Sequence, residues 1–334
     1  MTTFTSDYRH LIRLSDDTGL FEHARHAVVR RHHGYCTDDV ARGLVVVSRE
    51  PRPSRRLIRL SECYLTFLTH AQDDSGAFRN RLGFDRRWRD HPGLGDWWGR
   101  AMWGLGTAAA RDASPWIREE ALSAFAAGAG RRSSHLRAMA FAGLGAAEVL
   151  RATPDSAVAA ALLTDAAEAV GMSAEDPSWP WPQPHLTYAN AALAEVLIAA
   201  GDLSGDRHLL DRGLRLLTWL CGVQTRDGRF SVVPTAGWRR DGPRDRYDQQ
   251  PIEVAALADA CAAAALATGD PSWLDEVRRA AGWFYGANDA NALMWDPVTG
   301  GGYDGLTGHG PNLNQGAEST IALISTMQHA RTLP

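Results

Sequence analysis

The stretch RYDQQPIEVAALADA, 246–260, sets Asp248, Gln249, Gln250 and Glu253 around a proline and then runs into alanines. One capping side chain satisfies a helix start, so four polar groups exceed that need. Five other apolar helical patterns begin the same way. HGYCTDDVARG brings Asp38 and Asp39, and GDWWGRAMWG brings Asp96, Trp98 and Arg100. SSHLRAMAF brings His135, and WPWPQPHLTYANAAL brings Trp181, Tyr188 and Asn190. GGYDGLTGHGPNLNQGAES brings Asp304, Asn314, Gln315 and Glu318.

Carboxyl groups beside indole and phenol faces, with amides and arginine to hydrogen-bond hydroxyls, suit a carbohydrate. Glycosidic cleavage uses two carboxyls, one protonating the departing oxygen and one activating water or attacking the sugar. Glu253 is the expected general acid, because it lies one turn inside an apolar helix where desolvation raises a carboxyl's pKa. Asp38 or Asp39 is the expected base, with Glu318 as its rival, and inversion is the expected stereochemistry. Arg100, Tyr188, Gln249, Gln250 and Asn314 are expected to bind hydroxyls, together with Asp96, His135, Asn190, Asp248, Asp304 and Gln315. Trp98 and Trp181 are the expected stacking platforms. Plainer roles compete with these. Asp38 or Asp39 could be an N-cap, Glu253 could belong to a capping arrangement with Gln250, and about half of the 12 tryptophans should be core.

Composition removes several other chemistries. The 334 residues are 45% hydrophobic and 22% charged, with a formal net charge of -4. Lys and Arg are spread through the chain, so nucleic-acid binding has no electrostatic footprint. Cys36, Cys63, Cys221 and Cys261 form no CxxC pair and no disulfide framework. No HExxH motif, phosphate loop or dinucleotide fingerprint occurs. No metal and no cofactor are therefore expected, and His32, His33 and His135 are read as structural or hydrogen-bonding groups. The N-terminus has no apolar h-region and no stretch reads as membrane-spanning, so a cytoplasmic location without membrane contact is expected.

The elements that must position these groups are helices. Apolar residues recur at three- and four-residue intervals, and breaks at Gly, Pro and Asp predict helices over 38–50, 54–71, 97–111, 115–129, 134–152, 155–171, 188–200, 206–223, 251–268, 271–287 and 315–331. A small strand or hairpin arm is predicted at 227–233. Helices apolar nearly all round, such as AMAFAGLGAAEVL, alternate with helices charged on one face, such as DRHLLDRGLRLLTWL. The first kind reads as inner and the second as outer. Six inner helices and at least five outer ones predict an all-α (α/α)6 toroid, a six-hairpin barrel in one domain, 1–334. Its last outer helix is either missing or supplied by the segment around 8–14. An open solenoid competes, but no fixed short repeat supports it. Long loops, such as 73–95 and 225–246, precede inner helices, and this asymmetry assigns the chemistry to one end of the ring.

HGYCTDDVARGL, DQQPIEVAALADAC, the TGD–W step at 268–273 and YDGLTGHGPNLNQGAEST together resemble a bacterial family of (α/α)6-toroid proteins associated with glycosyltransferases. The likeness runs from about His10 to about Gln328. More distantly the chain is similar to toroidal glycoside hydrolases and sugar epimerases. The resemblance implies carbohydrate processing, an oligosaccharide or glycoside substrate, and functional association with a glycosyltransferase. The chain departs from the family pattern at Trp97 and Trp98, where a small residue and a histidine are expected. Three alternatives to a hydrolase stay open. An epimerase would need facing histidines, His135 with His185 or His309. A phosphorylase would need phosphate bound by Arg100 and Arg137. The third is a non-catalytic glycan-binding partner.

Overall fold

The computed structural model describes residues 4–171, 176 and 178–331. A short N-terminal helix, α1 (Arg9–Leu14), is followed by α2 (Thr37–Ser48), α3 (Arg55–Ala71), α4 (Asp96–Arg111), α5 (Pro115–Gly128), α6 (Leu136–Ala152) and α7 (Ala157–Val170). After these come α8 (Ala191–Ser204), α9 (Arg207–Val223), α10 (Pro251–Thr268), α11 (Ser272–Phe284) and α12 (Ala317–Ala330). Each helix expected from sequence is present, with ends shifted by a few residues as local caps dictate. The expected strand at 227–233 is a two-residue hairpin. Thr225–Arg226 pairs with Arg229–Phe230 around Asp227 and Gly228, both with positive φ, as such a tight turn demands.

Contacts divide the chain into two compact units. One comprises Leu11–Ala24 and Val28–Val170, the other Met1–His10, Arg25–Ala27 and Gly171–Pro334. In the first, here the N-terminal unit, α4 packs between α2 and α6, and α3, α5 and α7 back them. The inner three are buried nearly all round, from Val40 to Ser48, Trp98 to Ala108 and Arg137 to Leu150. The outer α3 buries one stripe, with Leu57, Ser61, Tyr64, Leu68 and Ala71 at three- and four-residue spacing. In the C-terminal unit, α10 packs between α8 and α12, with α9 behind α8 and α11 behind α10. The N-terminal segment joins this unit: Tyr8 Oη accepts from Gln328 Nε2 on α12 at 2.8 Å, and buried His10 donates to the Gln315 carbonyl at 2.9 Å. Among the described residues no helix follows α12, and Tyr8 and His10 of the opening segment bond to α12 and to the loop before it.

Small residues let the inner helices touch. A Cβ on Gly106 of α4 would meet Gly145 O at 2.2 Å, and one on Gly145 of α6 would meet Met102 O at 2.2 Å. A Cβ on Gly99 would meet Ala138 O at 2.3 Å. The backbones are therefore in contact along this face, and no side chain fits between them.

One expectation is corrected by α10. Its 18 residues are long and apolar enough to cross a membrane, with mean hydropathy 1.4, and 67% of that window is buried inside the protein. Length and apolarity do not separate a membrane span from an alanine-rich inner helix, and burial against α8 and α12 accounts for this one.

Gly145→Ala should lower unfolding stability by about 1–3 kcal/mol, the usual cost of overpacking, in urea or thermal denaturation. Gly222→Ala on α9, where a Cβ meets nothing within 4 Å, should be neutral or stabilising.

Candidate functional site

In the N-terminal unit the start of α2 is held by the loop that follows α3. Tyr35–Cys36 pairs with Arg81–Leu82. Thr37 donates its backbone N–H to Asn80 O at 2.9 Å and its hydroxyl to Arg79 O at 2.7 Å. Asp90 fixes that loop by accepting from the Asn80 and Arg81 backbone N–H groups at 2.6 and 2.9 Å. The residue before α2 is Cys36, which makes no side-chain cap, so Asp38 and Asp39 lie inside the first turn rather than at the N-cap. Their oxygens are both engaged by Arg42 Nη2 at 2.7 Å, one turn along the same helix. Asp39 is buried at 3% exposure, whereas Asp38 is partly open and lies 3.8 Å from Arg100 Nε.

The start of α4 is anchored by aromatic packing. Trp97 donates its indole N–H to Phe78 O at 2.6 Å, and Trp98 is wholly buried. This places Asp96 at the first helical position and Arg100 one turn inside. The Arg100 guanidinium lies 3.4 Å from the Phe141 ring centroid of α6, a cation–π contact that fixes its plane. Asp96 is half-buried, and its carboxyl makes no hydrogen bond or ion pair among the described residues. Burial pushes this carboxyl above the usual aspartate range. Asp38 of α2 adds to the shift, while Arg100 and, from the start of α6, Arg137 and His135 oppose it. Two carboxyls in different settings thus share one helix-start cluster: Asp38 is paired with Arg42, and Asp96 is biased towards its acid form.

Glu22, Cys36 and Asp39 bring potential metal-ligand atoms within 4.8 Å of one another. Their chemistry does not fit a resident ion. Glu22 pairs with Arg81 and Asp39 with Arg42, so arginines already supply the positive charge. Burial, reinforced by Asp39 and Asp38, drives the Cys36 thiol well above its ordinary value. The thiol donates to Asn80 Oδ1 at 3.3 Å rather than standing as a thiolate ligand.

In the C-terminal unit, Pro251 opens α10 and forces Gln250 extended, with φ -109 and ψ 140. Glu253 is 2% exposed. Its oxygens accept from the Asn190 backbone N–H at 3.2 Å and from Asn190 Nδ2 at 2.9 Å. Asn190 Oδ1 in turn accepts from Thr187 N at 3.0 Å. Glu253 is therefore a clamp between the starts of α8 and α10. A proton donor needs an oxygen that faces substrate, and burial plus Asn190 denies it one. Gln249 is also structural: its amide donates to Asp289 and to Arg246 O, and accepts from the Trp283 indole.

Other expected sugar-binding groups prove to hold the loop before α12. Gln315 is buried and bonds Thr299 and Asp296. Asp304 accepts from Gly316 N and the Ser319 hydroxyl, capping α12. Asn314 Oδ1 accepts from His26 N. Trp98 and Trp181 correct the expectation of stacking platforms: at 0% and 1% exposure neither offers a face to a sugar. Tyr188 (38% exposed), Asp248, Gln250 and Glu318 remain at accessible helix starts in this unit. Asp248 holds a left-handed φ of 67 and neighbouring α8 is preceded by Ala189 at φ 44, the backbone cost of bending sharply into each helix. In the N-terminal unit His135 is exposed at the N-cap of α6. Arg42 is the site residue missed from sequence. Its i+4 and i+3 spacing from Asp38 and Asp39 was the available signal.

No family model matches the sequence, and no curated protein matches it. Solved structures match its fold. A sugar epimerase from a ruminal bacterium has a TM-score of 0.74 at 12% identity, over 97% of this chain and 95% of that one. Cellobiose 2-epimerase of Spirochaeta thermophila gives 0.73 at 14% identity, over 98% and 94%. An α-1,6-mannanase of a Salegentibacter species, an inactive variant with two consecutive aspartates replaced by alanine and bound to an α-1,6-mannotetraose, gives 0.65 at 9% identity, over 98% and 100%. These are (α/α)6-toroid proteins, and this chain has that fold.

Two stability measurements check the site. Arg42→Met strands the buried Asp39 carboxylate and should cost about 3–5 kcal/mol at neutral pH, read by denaturant unfolding. Asp96, raised when folded, contributes stability fully present below its unfolded value and lost as pH rises through the folded one. Asp96→Asn removes that loss, so its Tm should exceed the parent's at pH 7, with the gap closing towards pH 4; a gap widening on acidification would contradict the assigned shift.

Proposed function

We propose that the chain is a glycoside hydrolase acting on an oligosaccharide by carboxyl acid–base catalysis, the whole chain serving as one catalytic domain. The observation that carries this reading is the pairing of an arginine-held Asp38 with a desolvated Asp96 at adjacent inner-helix starts. A carboxyl paired with arginine beside one biased to its acid form matches the base and the acid that glycosidic cleavage requires. Asp38 is the base or nucleophile rather than Asp39, because Asp39 is buried against Arg42. The mannanase of the same fold supports the reading: its inactive variant lacks two consecutive aspartates, and this chain carries Asp38 and Asp39 consecutively at the start of α2. Association with a glycosyltransferase belongs to the same proposal, on the motif resemblance in the sequence.

A second reading is a sugar epimerase. It is favoured by the higher fold likeness to two epimerases and by the exposed His135 beside Asp96, an imidazole–carboxyl couple suited to moving a proton at carbon.

Incubation with α- and β-linked manno-, gluco- and arabino-oligosaccharides, with and without phosphate, separates the readings. A hydrolase releases reducing sugar without phosphate, and Asp38→Asn abolishes the release. A phosphorylase needs phosphate and yields sugar phosphate. Deuterium entering a sugar C–H bond in heavy water without bond cleavage replaces the hydrolase by the epimerase.

A further inference from the structure

Asp96 is set apart from Asp38, Asp39, Glu253 and Asp304, which are paired, and from Asp248, which is exposed. Asp38 and Asp39 are each 2.7 Å from Arg42. Glu253 is clamped by Asn190, and Asp304 caps α12. Asp96 is half-buried, takes no hydrogen bond or ion pair among the described residues, and sits at the first position of α4. The helix dipole at that position favours an anion. Burial and the Asp38 charge nevertheless push the carboxyl upward against Arg100, Arg137 and His135. A half-buried carboxyl at a helix start, biased towards its acid form, has no hydrogen-bond partner among the described residues to hold its proton back.

We infer that Asp96 is the proton donor of the glycosidic cleavage and that Glu253 is a positioning residue for α8 and α10; this rests on the hydrolase reading. The glycosidic C1–O bond breaks as the Asp96 proton passes to the departing oxygen, which leaves as an alcohol. Water adds its hydroxyl to C1, and its proton passes to the Asp38 carboxylate. Asp38 then releases that proton to solvent and Asp96 regains one, so one water is consumed per bond cleaved.

The leaving group reports the acid. A dinitrophenolate departs without protonation, whereas methanol cannot. Kinetics of the parent enzyme, Asp96→Asn and Glu253→Gln are compared on methyl and dinitrophenyl glycosides of the sugar released in the panel above, with Tm measured for each. Asp96→Asn should lose about 10²–10⁴-fold in kcat/KM on the methyl glycoside and under about 10-fold on the dinitrophenyl one. It should also lose the alkaline limb of the pH profile. Glu253→Gln should lose equally on both substrates, with a lowered Tm. Equal losses on both substrates for Asp96→Asn, or the leaving-group split appearing in Glu253→Gln, overturns the assignment while hydrolysis stands. Absence of hydrolysis of any glycoside by the parent enzyme overturns the hydrolase reading and this assignment with it.

Discussion

Backbone contact between inner helices is the constraint on which the N-terminal unit depends. Where Gly106 meets Gly145 and Gly99 meets Ala138, no side chain separates α4 from α6. Closeness of this order leaves the first turns of α2, α4 and α6 no room to diverge, so Asp38, Asp96, Arg100, Arg137 and His135 act on one another electrostatically. Interiors pack densely and transmit small displacements. An added methyl at Gly99, in the first turn of α4, would therefore be felt at the helix start itself.

Given that proximity, the charges sort themselves by solvation and pairing. Arg42 faces two carboxylates at once, and the cost of burying Asp39 is offset by a guanidinium that is itself buried. Asp96 has no such partner, and the same low-polarity surroundings that strengthen the Arg42 pairs favour its neutral form. The two aspartates differ in that only Asp39 has an arginine in contact. Arg100 lies against the Phe141 ring and acts on Asp96 through its charge.

The C-terminal unit uses its polar residues differently. Glu253, Asn190, Gln249, Gln315 and Asp304 are consumed in tying loops to helix starts. These loops must turn sharply into α8 and α10, as the left-handed Ala189 and Asp248 show, and buried hydrogen bonds hold them in that shape. Tyr188 and Asp248 are exposed and Gln250 is half-buried at these same helix starts.

The helices, their inner or outer character and the toroid were legible in the sequence, because apolar periodicity follows from which faces each helix must bury. Decorated helix starts were legible too, since polar residues in an apolar pattern stand out wherever they fall. The division of labour among them was not. RYDQQPIEVAALADA reads the same whether Glu253 donates a proton or clamps Asn190, and GDWWGR reads the same whether Trp98 stacks on a sugar or fills the core. Burial and hydrogen-bond partners decide such roles, and Glu253 meets its partner 63 residues away in the chain. The sequence by itself determined the helices and the residue types at their starts. Only the tertiary structure decided which carboxyls are paired, which are clamps and that Asp96 stands without a partner, because solvation and pairing are properties of neighbours in space.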